Sequence, residues 1–159
     1  MKLYHFTRSI HLAGIAERGL VPRGNRLLTF GIPVVWFTAN PGAPEWLIKF
    51  HADAVRVTVD VKKQKLLHWL TWFEHLESDG VGSDGVERHV TGREVLASIR
   101  NDPTSGESFT HDAHDFYVHL GIVHRKRIKL TERIKWQEPD TRTGELLAKH
   151  QATLSEQAV

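Results

Sequence analysis

Two short apolar runs at the start of the chain, Leu3-Tyr4-His5-Phe6-Thr7 and Val34-Val35-Trp36-Phe37-Thr38, limit the fold more than any other feature. Between them lie one small helix signal and a Gly19-Leu20-Val21-Pro22 turn. Residues 3, 5 and 7 of a strand share a face, so His5 and Thr7 point together while Tyr4 and Phe6 point the other way. Two strands that present polar or aromatic groups, joined by one small helix, form a cleft as well as a core. Leu12, Ile15 and Ala16 supply the helical stripe, with Ser9 as candidate N-cap and Gly19 as the residue that ends the helix.

Further along, Val55 to Val61 alternates cleanly and predicts a strand. Gln64 to Leu76 carries Leu66, Leu67, Leu70, Phe73 and Leu76 and predicts a helix, whereas residues 78–85 predict a loop. Thr91 to Ile99 predicts a helix opened by a capping-box pattern, Thr91-x-x-Glu94. Residues 101–114 predict a long polar loop, 115–119 a strand and 126–136 another. The expected class is α+β, a single domain over residues 1–137 with a mixed or mostly antiparallel sheet. Residues 138–159 are expected to form a polar tail or helix.

The chain has 159 residues, a length that suits one domain with a sizeable core. It contains no cysteine, which excludes disulfides and thiolate zinc sites and fits a reducing, cytoplasmic setting. No apolar run is long enough for a membrane helix, so no membrane partner is expected. Net charge is +2 with histidine neutral, and the basic excess gathers in Arg125-Lys126-Arg127-Ile128-Lys129. Such a run contacts phosphates or guards a solvated sheet edge.

The order His5-x-Thr7, Gly19-Leu20-x-Pro22 and Trp36-Phe37-Thr38-Ala39-Asn40, followed much later by Asp115-Phe116-Tyr117-Val118-His119, resembles the ADP-ribosyltransferase fold family. The resemblance implies a split β-sheet with flanking helices, related to the fold of the NAD-dependent RNA 2′-phosphotransferase. It implies NAD as cosubstrate, with His5 on the adenosine-side ribose, Trp36 and Trp46 clamping the nicotinamide, Thr38 as the small hydroxyl residue beside it, and Thr7 on the same face as His5. Arg8, with help from Arg23 and Arg26, would hold the diphosphate as a bidentate donor.

In that family a glutamate opens the last catalytic strand. The matching position here is Asp115, one methylene shorter, and Glu107 is the substitute carboxylate. The expected activity is transfer of ADP-ribose to a protein or nucleic-acid acceptor, as in small toxins and phage effectors. An antitoxin or immunity partner would then accompany it. The alternative is a catalytically inactive binding module for NAD, a nucleotide or a protein. His111, His114 and Asp112 or Asp115 are residue types that can bind a divalent metal, but their spacing on an extended segment fixes no common face, and no metal is expected.

Overall fold

The computed structural model describes residues 1–43, 52–81, 85–104, 106–134 and 141–157. Trp46 lies outside the described residues. Six antiparallel strands make the main sheet: β1 Lys2–Arg8, β2 Val35–Thr38, β3 Ala54–Asp60, β4 Leu67–His68, β7 Phe116–His119 and β8 Ile128–Arg133, in the order β4-β7-β2-β1-β3-β8. A separate hairpin pairs β5 Glu77–Val81 with β6 Glu87–Thr91. The helices are α1 Leu12–Arg18, α2 Trp69–Glu74, α3 Gly92–Arg100, α4 Gly106–Ala113 and α5 Thr141–Gln157. The class is α+β, as the alternation of the first strands predicts.

The alternation sorts the core into two layers. Leu3, Val35, Phe37, Val57 and Val59 pack with Ile15 of α1 and Leu154 of α5 on one face. On the other face, Val34, Trp36, Phe116 and Val118 pack with Trp69 and Phe73 of α2, Val95 and Leu96 of α3, and Phe109 and Ala113 of α4. The one-residue parity of β pairing fixes which side each strand residue serves.

Three segments differ from the sequence expectation. The predicted helix 64–76 is a 3₁₀ turn, then β4, then the short α2. Leu67 and His68 take the extended form because they pair with Val118 and Tyr117 and so cover the edge of β7. The expected loop 78–85 contains most of β5. Its Asp, Gly and Ser residues have low strand propensity, but Ser78↔Val90 and Asp79↔His89 hold it in register. The expected loop 101–114 contains α4, which turns Phe109 and Ala113 into the second core layer.

The expected helix α3 forms, and the Thr91 hydroxyl caps it by accepting from the Glu94 N–H at 3.3 Å, while the Glu94 carboxylate pairs with Arg88 at 3.1 Å. Gly19 ends α1 with φ 79°, and a Cβ there would sit 2.3 Å from the Val123 carbonyl oxygen. α5 docks beside α1 and β8. Its buried His150 donates from Nδ1 to the Leu12 carbonyl at 3.2 Å and accepts at Nε2 from the Thr131 hydroxyl at 2.9 Å.

Candidate functional site

Strands β1 and β3 pair along their whole length, from Lys2↔Asp60 to Arg8↔Ala54. Strands β1 and β2 share a single register pair, Tyr4↔Thr38, and then part. Beyond that point the His5 side chain fills the gap: its Nδ1 lies 2.8 Å from the Trp36 carbonyl oxygen. A carbonyl can only accept, so Nδ1 carries the proton and the Nε2 lone pair is left as an acceptor. Burial holds the His5 imidazole below its ordinary value; the Trp36 carbonyl works against this and nearby His11 adds to it. The ring also meets Phe37 edge-on at 6.1 Å.

Two cavities flank this parting of the sheet, and both are lined by His5, Phe6 and Trp36. The first, about 360 Å³, lies toward α1. Its polar lining is Thr7, His11, Arg18 and Arg23, with exposed aliphatic Ile10 and Val21 among the remaining residues. No carboxylate lines it, and neither arginine makes an ion pair among the described residues. The second, about 330 Å³, lies toward α4 and is walled by Tyr4, Leu28, Trp36, Thr38, Phe109 and Phe116, with Asn25 at its edge. Apart from His5 it has no titratable wall residue except the Tyr4 phenol.

The aromatic wall is closely packed. Trp36 lies 5.4 Å from Trp69 and 6.1 Å from Phe116 between ring centroids. Trp69 is fully buried and stacks on Phe73 at 5.2 Å; its Nε1–H donates to the Leu28 carbonyl at 2.9 Å. That bond ties the loop over the second cavity to the core. The loop braces itself as well: the Asn25 Oδ1 accepts from the Leu27 and Leu28 N–H groups at 3.0 and 2.9 Å.

The remaining predicted residues fall in different places. Thr7 lines the first cavity and Thr38 the second; the Thr38 hydroxyl accepts from the Asn40 N–H at 3.0 Å. Arg8 points away and pairs with Asp53, its Nε at 3.2 and 3.3 Å from the two carboxylate oxygens. Arg26 lines a different groove. Asp115 directly precedes β7, and its carbonyl accepts from the Ala39 N–H at 2.9 Å. It lines neither cavity, and β7 lies two strands from β1, about 10 Å across the sheet. Glu107 is exposed in the first turn of α4 and lines neither cavity.

Sequence reasoning overlooked His11, Arg18, Tyr4, Phe6, Phe109 and Phe116 as wall residues. Tyr4 and Phe6 were legible, since the alternation that aims His5 at one face aims them at the other. Among the described residues, no three His, Asp or Glu side chains converge as a metal set.

A larger cavity than these two, about 650 Å³, lies between the loop at residues 26–31, the β5–β6 hairpin and α3. It touches neither His5 nor Trp36 and mixes Arg26 and Arg88 with Asp79, Glu94 and Asp102, so size alone does not mark the site.

The sequence matches no family model and no curated protein. Among solved structures the chain is similar to Thermosipho africanus DarTG in complex with ADP-ribose, at 14% identity and a TM-score of 0.45. The match covers 93% of this chain and 46% of that one, so this chain spans under half the length of the protein it resembles. No helix among the described residues is long and apolar enough to cross a membrane.

Proposed function

We propose that this protein binds NAD across the parting of β1 and β2 and acts as an ADP-ribosyltransferase on a protein or nucleic-acid acceptor, in the manner of a small intracellular toxin or phage effector. One observation carries the reading: an aromatic cavity with little charge and a cationic cavity without acid meet at His5 and Trp36. A dinucleotide has the same polarity, with a flat cationic ring at one end and a diphosphate toward the other. Trp36, with Tyr4 and Phe116, offers π faces to the nicotinamide, an attraction of about 1–2 kcal/mol in a desolvated site. Arg18 and Arg23 suit the diphosphate better than Arg8, whose guanidinium is already engaged by Asp53. The free Nε2 lone pair of His5 suits a ribose hydroxyl donor.

In the proposed reaction the bond from ribose C1′ to the pyridinium nitrogen breaks, and its electron pair leaves with neutral nicotinamide. A lone pair of the acceptor closes on C1′, and the acceptor gives up its proton. A carboxylate beside the ribose would stabilise the developing positive charge, which is the role assigned to Asp115, with Glu107 as substitute. No carboxylate among the described residues lines either cavity, and this favours a second reading: a module of the same fold that binds NAD or ADP-ribose without turning it over.

Calorimetric titration tests the binding. NAD is expected to give a saturable heat that weakens tenfold or more in Arg18→Ala/Arg23→Ala; absence of heat from the wild type at millimolar NAD refutes the proposal. Nicotinamide release then separates the readings. If the protein is a transferase, Asp115→Asn lowers release about a hundred- to a thousandfold while NAD binding persists. Activity in Asp115→Asn but not in Glu107→Gln reassigns the carboxylate. Binding without any release establishes the non-catalytic module.

A further inference from the structure

The basic run at 125–129 does not stand alone in the fold. The 3₁₀ turn at 63–65 brings Lys62, Lys63 and Lys65 to the same end of the sheet. Two observations place the segments together. Val61 and Leu66, which bracket the lysine turn, pack in one cluster with Val123 and Ile128, which bracket the turn at 125–127. The Asp60 carboxylate, next to the lysine turn, is held below its ordinary value first by its hydrogen bond to the N-terminal amine, and also by Lys129 and Arg127.

Lys62, Lys63, Lys65, Lys126, Arg127 and Lys129 are all exposed, and none makes an ion pair among the described residues. The nearby acid, Asp60, is already taken by the N-terminus at 3.0 Å. The surface also reaches the cationic cavity. Gly19, which lines that cavity, abuts the backbone of residues 123–125, and the Arg125 guanidinium donates to the Glu17 carbonyl at 3.0 Å.

We propose that this end of the sheet is a docking surface for the phosphate backbone of a nucleic acid. Six exposed cations, five on two adjoining turns and Lys129 at the start of β8, match a polyanion with regularly spaced charge, and phosphate contacts dominate such affinity. A solvated edge meant only to prevent strand pairing needs its charges on β8 and gains nothing from three lysines on a separate turn. An anionic membrane is the lesser fit, since five of the six cations sit on two tight turns, Lys129 sits on a strand, and none lies on the polar face of an amphipathic helix. The proposal holds whether or not NAD binds, because none of the six residues lines either cavity.

The test is fluorescence anisotropy with fluorescein-labelled single-stranded DNA, single-stranded RNA and duplex DNA of mixed sequence, between 50 and 200 mM salt. The wild type is expected to bind at least one of them, with log K falling linearly against log salt. Lys63→Glu/Lys126→Glu/Lys129→Glu is expected to weaken binding at least tenfold and flatten the slope by about one per lost contact. The control Arg93→Glu/Arg100→Glu/Lys149→Glu carries the same charge change elsewhere and is expected to bind like the wild type. Circular dichroism checks that both variants fold. Three results overturn the proposal: no binding by the wild type at 50 mM salt, an equal loss in the control, or, in a parallel sedimentation assay, binding only to vesicles containing phosphatidylserine.

Discussion

His5 works in the neutral state. Its Nδ1–H is committed to the Trp36 carbonyl, and partial burial, with nearby His11, disfavours a charge on the ring. His150 is likewise held below its ordinary value by burial, with the Leu12 carbonyl opposing. A depressed histidine stabilises the fold fully above its unfolded value, about 6.5, and that contribution is lost as pH falls through the folded value. His89 has the opposite sign. Its hydrogen bond to Asp79, at 3.0 Å, raises it, so its contribution is present at low pH and is lost as pH rises through the folded value. That pair is solvent-exposed and weak. The expected outcome is therefore a melting temperature that falls between pH 7 and pH 5, with a shallower slope in His5→Gln and His150→Gln. An unchanged slope in both variants would assign the acid sensitivity to other groups. NAD affinity should fall over the same range, because a protonated His5 can no longer accept from a ribose hydroxyl.

At the level of elements, the first three strands, α1 and α3 were legible because each announces itself locally: period-two alternation for the strands, an apolar stripe closed by Gly19 or opened by Thr91 for the helices. What was not legible depends on partners distant in sequence. Leu67-His68 is extended because β7 needs an edge partner, and Glu77–Val81 is a strand because β6 pairs with it. The candidate site shows the same division. His5 and Trp36 stand out in their strands, whereas Phe109 and Arg18 reach the cavities only through the packing of α4 and α1. The α2–α3 junction offers a sharp check. Gly92 opens α3 with its N–H on the Leu76 carbonyl at 2.9 Å, and a Cβ there would lie 1.8 Å from the Phe73 carbonyl oxygen. Since the obstacle is backbone, Gly92→Ala must push α2 and α3 apart, a cost of about 3 kcal/mol or more. Because α2 carries Trp69, the loop bond to Leu28 should loosen as well. Chemical denaturation measures the first effect and amide exchange at residues 25–30 the second. A Gly92→Ala protein as stable as the wild type would show that this junction is slack.

For the molecule as a whole, α5 decides whether residues 1–137 make a domain by themselves. The helix covers the face of the sheet that holds Leu3, Val57 and Val59, and it brings four groups to that face: Leu154 into the core, His150 to Leu12 and Thr131, Gln151 to the Thr131 carbonyl at 2.7 Å, and Thr143 to the buried Ser9 hydroxyl at 3.2 Å. Ser9 directly follows β1, and Leu12 opens the helix that bounds the cationic cavity. Removing residues 138–159 therefore strands buried polar groups near the candidate site as well as exposing apolar surface. Each unsatisfied buried group costs about 1–3 kcal/mol, so the loss is a large share of an ordinary domain's stability of about 5–15 kcal/mol. A chain ending at residue 137 is expected to melt at least 10 °C lower, or to be unfolded at 25 °C, since about 1 kcal/mol shifts the midpoint by roughly 4 °C at this size. His150→Ala separates the polar contribution from the apolar one, with an expected loss of about 2 kcal/mol. If the shortened chain instead keeps the full melting temperature and the NAD heat of the intact protein, the helix is an appendage, and the boundary near residue 137 is a true domain edge.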